Sequence, residues 1–329
     1  MRTFIKLMRY ASCALALMTF QSQPTLAQTI KGEIMDNKSW KTFYFGRFKV
    51  DLPSDAEISA DYKIYNENIE LISKNGRAQI TSITEKTIAE LKKGGAYGTA
   101  SIYEKTIPLN NGSILLLSKI KNLYTFHVYL LTSKNTLYLM MARAVSAKGL
   151  AGAIDKAKDL SDHIFFRMPQ DAPPPGSFAL EAGYTTLDPT QPLEGIYMGA
   201  QIPTHPGTFV SLLTQQIVEH EENLIKRFEN NKGSDLADGL AELMNKTKTL
   251  RKRERMIGSI KAEEVAVTAV INGKRFYTFQ IEYEGTLESN TKPFIDFKLG
   301  THEIGSDFQS DEEALAFWDR VVDSLRPLP

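Results

Sequence analysis

Cysteine is almost missing from this 329-residue chain: Cys13 stands alone, inside a segment that reads as a removable leader. Without it the remaining chain has no disulfide, no thiolate nucleophile and no cysteine metal site. An exported protein of that kind must hold together by core burial, which two units of about 150 residues can supply. A basic surplus is missing as well. The 39 basic residues equal the 39 acidic ones, and setting aside Arg2, Lys6 and Arg9 leaves 36 against 39. That balance argues against nucleic acid as a partner.

Reaction signatures are missing too. A zinc enzyme brings two or three histidines or cysteines together by spacing such as His-Glu-x-x-His. Here His127, His163, His205, His220 and His302 are scattered, and His220-Glu-Glu-Asn-Leu224 puts a leucine where the second ligand belongs. There is no Gly-x-Ser-x-Gly elbow for a serine nucleophile, and Gly305-Ser-Asp307 reads as a turn. No glycine-rich phosphate loop supports a nucleotide. The acidic pairs Glu263-Glu264 and Asp311-Glu-Glu313 suit surface and helix-start positions, the second favoured by the helix dipole. The expectation is therefore no catalytic, cofactor-binding or metal residue, no cofactor and no enzyme. Partner-binding residues are not assignable from the sequence.

What is present begins with a leader. Residues 1–27 carry three basic residues, the apolar run 10–20 and Thr25-Leu-Ala27, with small residues where a peptidase needs them. The run is short for about 30 Å of hydrocarbon, so a cleaved signal is expected over a membrane anchor. Cys13 precedes most of the apolar run instead of following it, which is the wrong order for lipidation. The compartment expected is the bacterial periplasm.

The remaining chain divides at Arg167-Met-Pro-Gln-Asp-Ala-Pro-Pro-Pro-Gly176, whose three consecutive prolines favour an extended, semi-rigid spacer. Before it, a strand bent at Gly46 is expected over 40–53, a strand over 78–83, and a helix over 85–93 stopped by Gly94-Gly95. Strands follow at 101–107, 114–120, 124–131 and 137–144, with Asn111-Gly112 as a hairpin. Leu150, Ile154, Ala157 and Leu160 mark a closing helix. After the joint come strands at 193–202 and 207–214, a helix over 215–228, and a second helix with Leu236, Leu240, Leu243 and Met244. Strands at 256–260, 262–271, 275–284 and 294–299 precede a last helix with Leu315, Trp318, Val322 and Leu325. Short words recur: Tyr124-Thr-Phe-His-Val-Tyr beside Tyr277-Thr-Phe-Gln-Ile-Glu, and Arg167-Met-Pro169 beside Arg326-Pro327. The fold expected is α+β, two sheet-plus-helix domains suggestive of a structural duplication: 1–27 signal, 28–170 first domain, 171–176 linker, 177–329 second domain. The alternative is one continuous domain crossed by its prolines.

Two surface features invite a partner. Lys246-Thr-Lys-Thr-Leu-Arg-Lys-Arg-Glu-Arg255 holds six basic residues in ten, behind an acidic stretch. It is either an electrostatic contact or an exposed connection balanced by its neighbour. Tyr184 to Glu194, with two prolines, is either a recognition loop or a plain connection.

Phe45-Gly-Arg-Phe-Lys-Val-Asp-Leu-Pro53, Leu193-Glu-Gly-Ile-Tyr-Met-Gly-Ala-Gln-Ile-Pro203 and Pro206-Gly-Thr-Phe-Val-Ser-Leu-Leu-Thr214 give the chain its resemblance. It resembles the periplasmic immunity proteins that protect bacteria from phospholipase effectors of the type VI secretion system. The resemblance implies two α+β domains and a non-enzymatic inhibitor that binds a cognate secreted lipase and blocks substrate access; membrane contact is possible but not expected. The alternatives are a periplasmic hydrolase with a dispersed active site, or an envelope scaffold or lipid-binding module.

Overall fold

A computed structural model describes residues 40–94, 101–230 and 247–329. The expected leader, Gly95 and the helix at Leu236 to Met244 lie outside the described residues. The bend at Gly46 closes a hairpin instead of kinking one strand: β1 (Trp40–Phe45) turns back as β2 (Phe48–Pro53), with Phe45 opposite Phe48. Gly46 takes φ +54, a backbone region that costs glycine little.

A second hairpin has no glycine and left no turn signal. β3 (Glu57–Ile64) and β4 (Glu67–Ser73) are joined through Tyr65 and Asn66, at φ 56 and 64. Next comes α1 (Gly76–Lys93), which absorbs the strand expected at 78–83. The helical reading wins because Ile80, Ile83 and Ile88 share one face and bury it against Leu116, Leu131 and Leu137. Then β5 (Ile102–Pro108), β6 (Ile114–Ile120), β7 (Leu123–Leu131) and β8 (Leu137–Ser146) form a meander. α2 (Leu150–Asp162) and the short β9 (Ile164–Phe166) complete the first half.

The second half opens with the small hairpin β10 (Phe178–Leu180) and β11 (Gly183–Thr185), followed by β12 (Gly195–Gln201) and β13 (Thr208–Gln215). The helix expected over 215–228 is reduced to α3 (Leu224–Glu229). Ile217 bridges Leu287 instead, and the Asn223 side chain accepts the Lys226 amide to start the helix late. β14 (Thr247–Ile257), β15 (Ile260–Ile271), β16 (Lys274–Tyr283) and β17 (Phe294–Thr301) form the second meander. The strand expected at 256–260 is the turn between the first two, and the basic run itself is the strand. Asn272-Gly273 turns β15 into β16, both at positive φ, as that dipeptide favours. α4 (Asp311–Ser324) and β18 (Arg326–Pro327) end the chain.

Twelve strands make one sheet, in the order β14-β15-β16-β17-β13-β12-β3-β4-β8-β7-β6-β5. Read outward from its centre, the order is the same in both directions. Outward from β3-β4 come β8, β7, β6 and β5, and outward from β12-β13 come β17, β16, β15 and β14, so that on each side the last of these four in sequence lies innermost. The central strands β3 and β12 pair antiparallel about Ala60↔Met198, with Glu57↔Gln201 and Lys63↔Gly195 at the two ends. The repeated words fall on equivalent strands, Tyr124 to Tyr129 on β7 and Tyr277 to Glu282 on β16.

Two three-stranded sheets cross between the halves. β2, from the first half, pairs with β18 at the chain's end, and β11, from the second half, pairs with β9. Each half thus contributes its opening hairpin to the other's closing segment. Gly46 and Ala179 exchange backbone hydrogen bonds of 3.0 and 2.8 Å where the two small sheets meet. One sheet face is covered by these hairpins together with α2 and α4, and the main core lies beneath them. At its centre Trp318 stacks on Phe297 with ring centroids 5.4 Å apart.

Candidate partner-binding face

The opposite sheet face is only partly covered. α1 packs on the first half there and α3 on Val265 and Val267 of the second. Between them the central strands present alternate residues: Glu57, Ser59 and Asp61 on β3, Tyr197 and Gln201 on β12, Ser211 and Leu213 on β13. Tyr197 is 44% exposed, a large aromatic among short polar side chains. The neighbouring strands are held by side-chain bonds. Lys298 pairs with Asp296 at 2.8 Å, Gln280 donates to Asp296 at 2.9 Å, and His302 and Gln201 are 2.8 Å apart. Arg227 of α3 reaches Glu282 at 2.6 Å, where burial pushes the carboxyl up from its ordinary value against the pull of that arginine. An aromatic at the centre of a rigid, polar-rimmed sheet is the kind of anchor protein interfaces use.

The basic run is not a free patch. Arg251, Arg253 and Arg255 point to one side of β14 and converge on Glu264 and on Asp319 of α4. Glu264 is fully buried and also accepts the Trp318 indole N–H at 2.8 Å. Burial pushes Asp319 up, but hydrogen bonds and charge from Arg251 and Arg255 win and hold it below the usual carboxylate range. Lys248 pairs with Asp311 and Lys252 with Glu229. Over 247–255 the run is a strand and not an exposed connection; its partner Glu229 comes from the acidic stretch before it, and its other partners are Glu264, Asp311, Asp319 and Asp323 from later in the chain. Lys246 lies outside the described residues.

The joint and the loop after it are also tied down. Arg167 is 5% exposed and donates to the carbonyls of Pro169, Asp171 and Leu180 at 2.7–2.8 Å. The Gly176 amide donates to Pro329 O at 2.7 Å, while Arg47 Nη1 donates to Gly176 O at 2.8 Å. Arg47 also forms a two-pronged pair with Glu194, at 2.6 and 2.8 Å. Burial pushes the Glu194 carboxyl up, opposed by the arginine. The extended spacer expected from Pro173–Pro175 is folded into a turn, with Ser177 donating to Pro174 O. The loop at 184–194 is gripped by buried Asn290, whose amide donates to the carbonyls of Pro189 and Pro192 and whose oxygen accepts the Glu194 amide.

The histidines stay apart, and no cluster of metal-ligating side chains occurs among the described residues. His163 bonds Asp159 on α2. The His205 ring lies between Phe308 and Phe317, 3.3 Å from Asp307. His220 lies 3.9 Å from Glu284, and His127 is lowered from its ordinary value by burial and then by Arg143. Asp311, Glu312 and Glu313 start α4, where Ser310 Oγ accepts the Glu313 amide and the Glu313 carboxylate accepts the Gln309 amide. No described helix is long and apolar enough to cross a membrane.

Residues 173–329 match a family model described as the Tle cognate immunity protein 4 C-terminal domain. None of the curated proteins matches the chain. Among solved structures, the chain is similar to apo immunity protein TplEi of the type VI secretion system from Pseudomonas aeruginosa. The identity is 27% and the TM-score 0.80, over 90% of this chain and 99% of that one. The crystal structure of the Tle4–Tli4 complex matches at 27% identity and TM-score 0.79, over 90% and 99%. TplEi complexed with "L" peptide matches at 26% and 0.74, over 89% and 100%. Residues 173–329 therefore match the Tle cognate immunity family, and the chain as a whole is similar to immunity proteins of the type VI secretion system.

Proposed function

We propose that this chain is exported to the periplasm, loses residues 1–27 as a signal peptide, and there binds a cognate type VI secretion phospholipase effector, blocking its access to substrate. The carrying observation is the similarity to the Tle4–Tli4 complex over nearly the whole of the partner-binding chain. The rigid open face around Tyr197, flanked by α1 and α3, supports a role in which a preformed surface docks on another protein. A tight complex needs about 1,200–2,000 Å² of buried surface, which a sheet of this width can offer. Two units divided at 171–176 remain part of the proposal, with the joint setting how they face one effector.

The test is coexpression. A lipase encoded beside this gene and sent to the periplasm should kill, and this protein should rescue growth only when residues 1–27 are kept. Killing that persists with the full chain present would sink the reading. Ester or lipid turnover by the purified protein would favour the hydrolase, and binding to lipid vesicles alone would favour the envelope module.

A further inference from the structure

Between β3 and β4 the sheet comes apart. Their ladder runs Ile64↔Glu67, Lys63↔Asn68, Tyr62↔Ile69 and stops. Its continuation would set Ala60 against Leu71, but β3 keeps to β12 as far as Glu57 while β4 follows β8. The equivalent pair in the other half stays closed along its whole length, from Gly195↔Gln215 to Gln201↔Phe209. The split is therefore a property of this half and not of the topology.

A cavity of about 260 Å³ occupies the split, with Ala60, Asp61, Glu70, Leu71 and Glu181 in its wall. In a two-residue hairpin the closing pair exchanges both backbone bonds, and alternate positions do the same along the ladder. Counting from Ile64↔Glu67, the amide and carbonyl of Ala60 and Leu71 are directed into the opening. Strand edges in this state recruit a further strand. The surrounding charge selects what enters: Asp61, Glu70 and Glu181 are exposed, and none has an ion pair with a described cation. Asp61 and Glu70 stand on the open face, in register with Tyr197 and Leu139, whereas Glu181 belongs to the β10–β11 turn on the covered side.

We propose that this split is a strand-addition slot for an extended, basic segment of the effector. The inserted backbone bonds to Ala60 and Leu71. Its side chains point alternately to the two faces, so lysine or arginine meets Asp61 and Glu70 on one side and Glu181 on the other. The identity of the donor as the effector rests on the proposed function, and the slot itself does not.

Two measurements separate them. In calorimetric titration with the adjacent-gene lipase, D61N/E70Q/E181Q should weaken binding at least tenfold and flatten its salt dependence. Ala60→Pro, which removes the amide facing the split, should do the same with the charges intact. Unchanged affinity in both variants would overturn the slot as an effector contact. In the second, the acetylated peptide Val-Lys-Val-Lys-Val is titrated into the full chain while the amide resonances of Ala60 and Leu71 are followed by NMR. Saturable shifts with this peptide and none with Val-Glu-Val-Glu-Val are expected; no shift with the lysine peptide would overturn the slot whatever the lipase does. Lipase that fails to bind the unaltered protein, beside peptide that does, would remove the proposed function and keep the slot.

Discussion

Glu264 shows how far single residues were legible. The sequence gives two adjacent glutamates and a dense basic run, and charge counting treats both as surface. The strand period separates them: Glu263 accepts the Ile225 amide on one face, and Glu264 is buried on the other among Arg253, Arg255 and Trp318. Nothing local distinguishes the two glutamates; the indole that claims one of them lies 54 residues away. Removing one partner of a buried ionic network leaves the others uncompensated, at about 3–5 kcal/mol. The arginines are partly exposed and water recovers some of this, so Glu264→Ala should cost about 2–3 kcal/mol. Urea unfolding followed by the fluorescence of Trp40 and Trp318 checks it, and a midpoint equal to that of the unaltered protein would contradict the network.

At the scale of elements, most strands and both closing helices were readable because alternation and the 3.6-residue stripe were long and flanked by turn residues. The exceptions share a cause: tertiary contact decides where local signal is weak. Ala78–Ile83 has strand-like β-branched content, yet α1 docks there because Gly76 lets the backbone approach β8. A Cβ at Gly76 would lie 2.9 Å from Asn135 O and closer still to Leu137 Cβ. The Gly76 amide donates to that same carbonyl at 2.6 Å, so the contact cannot open without losing the bond. The β3–β4 hairpin was invisible for the opposite reason, since Tyr65 and Asn66 adopt left-handed backbone without the glycine that announces such turns. A paired prediction follows from the glycines. Gly76→Ala should destabilise by about 1–3 kcal/mol through overpacking. Gly152→Ala, in α2 with nothing within 4 Å of its Cβ, should stabilise by up to about 1 kcal/mol through helix propensity. Opposite shifts in denaturation midpoint are expected, and shifts of one sign would mean that α1 does not sit as tightly on β8.

For the whole molecule, the repeated words fall on corresponding strands of one twelve-stranded sheet, but they do not disclose how its two sides are fastened. The sequence pattern shows 40–53 as a single bent strand and carries no signal for pairing across the chain, whereas β2 closes on β18 and β11 on β9. That exchange has an energetic consequence. Phe48, Val50 and Leu52 are buried in the main core, and Trp40 packs 5.5 Å from Phe317 of α4. Residues 177–329 expressed alone therefore lose the cover over α4 along with β3, the neighbour of β12. Burying an apolar side chain of this size is worth about 1.5–3 kcal/mol, so losing several at once exceeds the margin of a typical domain. Fusing residues 40–53 to the C-terminus of 177–329 through a flexible linker restores the first loss and not the second. The fusion should melt cooperatively at a higher temperature than 177–329 alone, and a version carrying Phe48→Asp and Val50→Asp should not. Equal melting of the fusion and the bare half, followed by near-UV circular dichroism, would mean that the hairpin adds nothing to the half it covers. The gain, if found, measures how strongly the halves are fastened by exchange, apart from the twelve-stranded sheet that they share.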